Sequence, residues 1–455
     1  MKRLTLLFVT VFALFALAAP AFAEDAITVT SNKFTNNFRK NLTFVLGAQS
    51  AAGKITNIAL LIQLEGIASS GRQIPDFSPG AQVQATYEWN LERNYLPPGV
   101  SGQFWWLIED DKGNQKQTEK QNFRVEDTSQ QWKKLANSQV ALYWYAGGDS
   151  FGKALFDRAV EAMQYLQQDT KVSVERQIQI FIYGNRNDFF KAIPMSSKEW
   201  TGGQAYTEYS IVVINVEPNS LEWGKDATVH ELTHQIISQK IRGPLGDLSM
   251  PHWMDEGLAM YYETYPNPLD NQFAAPLKRA IQNDTLMTVR SMVGAFPTDS
   301  AAANLAYAQS YSLVDFIIRK YGRDKLAQLL QDFKTGGFYD DVFKKALGVD
   351  TDGLETEWRK DIGAKPRVIP TRGATTPTPF PTFSLSTDPF VAPTAAAKPS
   401  ATPQVVAVQA TAAPPAPTAA PSNPLRSVAL CNSTGLIVLG VIATAWQIRR
   451  RRPHV

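Results

Sequence analysis

The chain has 455 residues, 44% of them apolar and 19% charged, too many for one typical domain and enough for two packed cores. Its formal charge is +3, but Lys2, Arg3 and the four arginines 449–452 lie at the two ends, and without those six the balance is −3, so no nucleic-acid partner is expected. Cys431 is the only cysteine, which excludes an internal disulfide framework and leaves stability to apolar packing.

Residues 1–23 read as a secretory signal peptide. Lys2 and Arg3 precede an apolar run over 4–19, and Ala21-Phe22-Ala23 has the small-x-small pattern of a cleavage site, so export is expected with Glu24 as the first mature residue. Residues 24–130 alternate with period two: Ile58, Leu60, Ile62 and Leu64; Val83, Ala85, Tyr87, Trp89 and Leu91; Phe104, Trp106 and Ile108. Turn signals separate these runs at Pro97-Pro98-Gly99 and at Asp110-Asp111-Lys112-Gly113. The spacing predicts an antiparallel, immunoglobulin-like β-sandwich whose tryptophans, Trp105 and Trp106 among them, pack the core.

From 131 to 365 strands and helices alternate. Strands are expected at 140–145, 178–183 and 211–216, and helices at 151–167, 186–192, 324–333 and 354–360. A further helix is expected over 227–240 with Asp226 as its N-cap and Gly243-Pro244 as its stop, and another from Pro251 to about Tyr262.

The helix at 227–240 carries His230-Glu231-Leu232-Thr233-His234, although the whole chain has only 4 histidines. Four helical residues turn the chain by about 400° and advance it about 6 Å, so both imidazoles project from one face and can grip one metal ion. Glu231 is rotated by about 100° from His230, and its side chain can reach a water held on the metal and take its proton. This is the H-E-x-x-H arrangement of zinc hydrolases. A hydrolytic zinc site takes three protein ligands and keeps one open position. Glu256 is the candidate third ligand, because the intervening chain suffices for one helix to end and another to return.

His230-Glu231-Leu232-Thr233-His234 with Trp253-Met254-Asp255-Glu256-Gly257-Leu258-Ala259 resembles the gluzincin peptidases, the clan of thermolysin and aminopeptidase N. The chain is similar in particular to the peptidase MA-like metallohydrolases of bacterial surfaces. The resemblance covers roughly 131–365. It implies an α+β, thermolysin-like domain in which a small sheet stands beside a mostly helical part with Zn2+ between them, held by His230, His234 and Glu256. The spacing between the two segments is longer than in the aminopeptidases, and Asp255 stands where those have asparagine. The segment Tyr307-Ala308-Gln309-Ser310-Tyr311 resembles the place where aminopeptidases carry an oxyanion-binding tyrosine, which implies Tyr307 for that role, with Tyr311 one turn on, or simple packing of Tyr307, as the rival readings. By the same resemblance, residues 200–206 and the strand after them would form an edge along which extended substrate adds as a strand. The aminopeptidase motif that holds a free amino terminus is absent, and Glu208 is a weak substitute, so exopeptidase action does not follow. His252 reads as a satisfied boundary histidine, Asp255 as a carboxylate that orients a ligand histidine, and Glu263 as solvated.

Residues 366–425 are rich in Pro, Thr, Ala and Ser and read as an extended stalk. In the expected transmembrane segment, 426–448, the stretch 428–448 carries no charge, and the tail 449–455 opens with four arginines. A single-pass cell-membrane protein is expected, with its amino terminus outside and a cytoplasmic carboxyl terminus. The expected activity is zinc-dependent hydrolysis of peptide bonds in a peptide or protein substrate. The rival expectation is a surface-binding or adhesion protein whose metallopeptidase-like domain is inactive.

Overall fold

The computed structural model describes residues 26–194, 202–243 and 249–367. The expected signal peptide, transmembrane segment and basic tail, and all but the first residues of the expected stalk, lie outside the described residues. Among the described residues no helix is long and apolar enough to cross a membrane.

The chain opens with strands β1 (Ile27–Asn37), β2 (Asn41–Ser50), β3 (Ile55–Leu64), β4 (Gly71–Gln73), β5 (Gln82–Asn90), β6 (Ser101–Asp110), β7 (Gln115–Gln117) and β8 (Gln121–Arg124). They build two antiparallel sheets, ordered β1-β2-β5 and β4-β3-β6-β7, with β8 also paired to β6. Alternation decides what lies between them: Leu42, Phe44, Leu46 and Ala48 of β2 and Phe104, Trp106 and Ile108 of β6 are all buried. Phe44 and Phe104 meet edge to face with centroids 5.0 Å apart. Trp106 is part of this core and donates its indole N–H to Asn32 Oδ1 at 3.0 Å, as a buried indole requires. Trp105 is also buried, with the Lys120 ammonium 4.5 Å above its ring. Strands β1 and β2 do not stand out in the sequence. β1 is an edge strand with polar residues on both faces, and its pairing with β2, from Ile27 opposite Ser50 to Asn37 opposite Asn41, is what defines it.

The second part begins with β9 (Lys133–Ala136) and β10 (Val140–Trp144), followed by α1 (Gly148–Thr170), β11 (Ile178–Tyr183), α2 (Arg186–Ala192), β12 (Gly203–Tyr206) and β13 (Ile211–Asn215). Helices then follow: α3 (Leu221–Ile241), α4 (His252–Thr264), α5 (Asn271–Asn283), a 3-10 turn at Val289–Met292, α6 (Ser300–Tyr321), α7 (Arg323–Thr335), α8 (Tyr339–Leu347) and α9 (Thr351–Asp361). The five strands form one mixed sheet ordered β12-β13-β11-β10-β9, in which β10, β11 and β13 run parallel and the edges β12 and β9 are antiparallel.

Both faces of this sheet are buried, which is why its strands read as unbroken apolar runs. Ile178, Ile180 and Ile182 of β11 and Val212 and Ile214 of β13 enter a core shared with α1, α3, α4 and α6. Their odd-numbered neighbours Phe181, Tyr183, Ile211 and Val213 enter the other core, which is continuous with the two amino-terminal sheets through Leu96, Val100 and Val125. The chain crosses between the two parts around the boundary read at residue 130, but that second core spans both. Polar contacts reinforce the seam. Arg39 donates to the carbonyls of Phe190 and Lys191, Tyr95 donates its hydroxyl to Ala192 O, Tyr183 donates to Asp127 Oδ2 at 2.6 Å, and Arg124 donates to Gln179 Oε1 at 2.6 Å.

A chain from which residues 26–125 are removed would expose the odd-numbered sheet face. Burial of Phe181, Ile211 and Val213 alone is worth roughly 5–9 kcal/mol, comparable with the net stability of a domain. The truncated chain is expected to aggregate on size-exclusion chromatography with light scattering. A monomer that unfolds cooperatively at the full chain's Tm would contradict the shared core.

Candidate metal centre

Helix α3 is buried on every side from Thr228 to Gln239, so it is an interior helix and not an amphipathic surface one. It starts earlier than the sequence implied. Ser220 precedes its first turn and Asp226, expected as the N-cap, lies inside the helix, because the turn closed by Ser220 N on Glu217 O already directs the chain into it. Four polar side chains of the buried stretch find their own partners. Thr228 and Thr233 donate back to the carbonyls of Gly224 and Val229, Gln235 donates to Ile211 O at 2.8 Å, and Gln239 accepts from Glu175 N at 3.0 Å.

His230 and His234 emerge one turn apart with ring centroids 5.1 Å apart. Helix α4 crosses in front of them and brings Glu256 between them. Glu256 Oε2 lies 3.5 Å from His230 Nε2 and 3.7 Å from His234 Nε2. One ligand atom from each of the three residues fits within 4.8 Å of the others, and all three residues are buried. Gly257, next to Glu256, sets how closely α4 approaches α6: a Cβ there would fall 2.4 Å from the carbonyl oxygen of Ser310.

The outer imidazole nitrogens are held by carboxylates. His230 Nδ1 is 2.6 Å from Glu263 Oε2, and His234 Nδ1 is 3.0 Å from Asp255 Oδ2. Both contacts fix the ring and leave Nε2 facing inward. The reading of Glu263 as a solvated residue is therefore corrected: its side chain is only 13% exposed. A sequence signal for it exists, since Glu263 follows Glu256 by seven residues, two helical turns on the same face. Burial alone would raise the Asp255 carboxyl, but the charge and hydrogen bond of His234, with His252 and His230 beyond it, hold it below the usual carboxylate range.

Glu231 points toward the sheet edge. A Cβ on Gly203, the first residue of the edge strand β12, would lie 2.3 Å from Glu231 Oε1, so the carboxylate occupies the space that a side chain at 203 would take. The sequence singled out residues 200–206 as an edge but not this contact; Trp200 and Thr201 lie outside the described residues. Glu208 sits in the turn after Tyr206, more than about 10 Å along the strand from Gly203, where its carbonyl accepts from Arg176 at 2.8 Å. Its backbone thus belongs to the turn. Tyr307 is 3% exposed and packs edge to face on Phe296 with centroids 5.0 Å apart. Phe296 in turn lies 4.6 Å from the His252 ring, which faces Glu256. The Tyr311 ring lies 6.0 Å from that of Tyr261, centroid to centroid.

The residues fit a divalent metal. Glu256 has no solvent exposure, and neither carboxylate oxygen has a hydrogen-bond partner among the described residues. A carboxylate so desolvated either neutralises or meets positive charge. A cation beside two inward imidazole nitrogens supplies that charge, and two nitrogens plus one carboxylate oxygen suit zinc.

Asp255→Asn and Glu263→Gln are each expected to weaken zinc binding by about 10–100-fold, the usual range for partners of metal-bound histidines. Competition with a chromophoric chelator measures this, and unchanged affinity in both variants would show that the two carboxylates do not tune the histidines.

Residues 158–364 match the sequence profile of the Peptidase MA superfamily. The uncharacterized Bacillus subtilis (strain 168) protein YhcO is 26% identical over 137 residues, which are 29% of this chain and 39% of YhcO. Among solved structures, the M1 zinc metallopeptidase from Deinococcus radiodurans matches at 11% identity over 76% of this chain and 96% of its own, with a TM-score of 0.36. An aminopeptidase N family protein from Idiomarina loihiensis matches at 11% identity over 70% of this chain and 71% of its own, also with a TM-score of 0.36. By its matched segment, the chain is similar over residues 158–364 to the Peptidase MA superfamily.

Proposed function

We propose that this chain is an extracellular, membrane-anchored zinc metallopeptidase, with an immunoglobulin-like sandwich before a thermolysin-like catalytic domain. The observation that carries the catalytic part is the convergence of the buried His230, His234 and Glu256, with ligand atoms within 4.8 Å of one another, and with Glu231 on the same helix and turned toward the edge strand. The anchoring part rests on the sequence alone, on residues 1–23 as a leader and on the charge-free stretch 428–448 before four arginines.

Zinc bound by the three ligands supplies Lewis acidity, which makes water a competent nucleophile near neutral pH and polarises a carbonyl. The protein residues do the remainder. Glu263 and Asp255 hold His230 and His234 in the tautomer whose Nε2 carries the lone pair that can bind a metal. Glu231 accepts a proton from the attacking water and passes it to the leaving amine. Extended substrate would add beside β12, the edge strand of the mixed sheet, where the absence of a Cβ at Gly203 gives the Glu231 carboxylate its space. Tyr307 donates its hydroxyl to the oxyanion of the tetrahedral intermediate.

Glu231→Gln is expected to keep one equivalent of zinc and to lose hydrolysis of a peptide library by at least about 10²-fold, the lower range for a general base. Retained cleavage by that variant would overturn the mechanism. Gly203→Ala tests the edge contact separately, because the atom it displaces is the end of the flexible Glu231 side chain. Wild-type Tm and zinc stoichiometry with reduced kcat are expected. Unchanged kcat would show that Glu231 does not depend on that space.

A further inference from the structure

His252 is the described histidine that no step above uses. It opens α4 and stands four residues before Glu256, so the helix itself sets the two side chains one above the other. Its Nε2 lies 3.6 Å from Glu256 Oε1, whereas the contacts of Oε2 run to His230 and His234. The two oxygens of the buried carboxylate are thus divided between the histidine pair and His252. At 3.6 Å the His252 contact is an ion-pair distance and slightly too long for a hydrogen bond. His252 also lies outside the group whose ligand atoms share one 4.8 Å cluster. Its placement is fixed from two sides, by donation of its backbone N–H to Val293 O at 2.9 Å and by the Phe296 ring at 4.6 Å, while its side chain stays 19% exposed.

We propose that His252 is a positioning residue for the third ligand. Its imidazole N–H serves Glu256 Oε1, so that the carboxylate turns Oε2 toward the histidine pair, and His252 is not itself a ligand. Oε1 is buried and has no hydrogen-bond partner among the described residues, and a small approach of His252 across the 3.6 Å gap would give it a donor and keep the carboxylate from rotating away from the metal position. The proposal deepens the zinc-peptidase reading and rests on it.

The test compares the full chain with His252→Ala, His252→Gln and His252→Met. Each is stripped with chelator and titrated with zinc against a chromophoric competitor, with the Tm of the stripped proteins recorded alongside. His252→Ala and His252→Met are expected to bind zinc about 10–100-fold more weakly with one equivalent still bound, and His252→Gln, which retains an N–H donor, to recover most of the loss. Met is close to His in size, so His252→Met against His252→Gln makes the same comparison if the alanine variant does not fold. Wild-type affinity in His252→Ala or His252→Met would overturn the proposal while leaving the zinc centre intact. Loss of the bound equivalent in those variants would overturn it in favour of His252 as a ligand, and an equal loss in His252→Gln would overturn N–H donation. A wild-type chain that binds no zinc would overturn the zinc centre and this inference together.

Discussion

The constraint on which the rest depends is the burial of a helix that carries polar chemistry. Every residue of α3 from Thr228 to Gln239 is removed from solvent, and a buried polar side chain is tolerable only with a partner. Two threonines return their hydroxyls to the helix backbone, two glutamines bond loops and strands of the sheet, and the two histidines take carboxylates from α4. The histidine-bearing face is therefore one stripe of a helix whose other faces are committed to packing through Val229, Leu232, Ile236 and Ile237. Such a helix has little freedom to rotate, and the ring positions inherit its rigidity.

Helix α4 completes the site by what it brings in one stretch. Asp255 and Glu263 reach the two outer nitrogens, and Glu256 enters between the two inner ones. This works because Gly257 lets α4 press against the backbone of α6 at Ser310. The close crossing also places α6, with Tyr307, behind Phe296 and His252. One small residue thus couples the His-His-Glu group to the tyrosine-bearing helix.

The mixed sheet divides the molecule's labour by parity. Even-numbered residues of β11 and β13 hold the helices that carry the site, and odd-numbered residues hold the amino-terminal sheets. The amino-terminal sheets consequently belong to the body that supports the edge strand: Tyr95, from the loop after β5, packs on Tyr206 of β12 with centroids 5.6 Å apart. The sequence pattern showed alternating strands before residue 130 and apolar runs after it. It did not show that the runs are apolar because they face two cores, since periodicity reports how many faces are buried and not against what.

Much of the site was legible because it is local. Two histidines four apart and a glutamate beside the first need only helical geometry, and β11 and α2 begin and end where the pattern placed them. Glu256 was found through its motif. The partners of the ring nitrogens were less legible: Asp255 was read correctly in kind, whereas Glu263 looked solvated because nothing in a single helix says which neighbour covers its face. By itself the sequence determined most of the elements and the spacing of the histidine pair, because these follow from backbone periodicity. Only the tertiary structure decided that Glu256 lies desolvated between His230 and His234, that Glu263 is buried on His230, and that Glu231 fills the space beside Gly203. Each of these is a contact between segments distant in sequence or on crossing helices, and only the packing of the two cores brings them together.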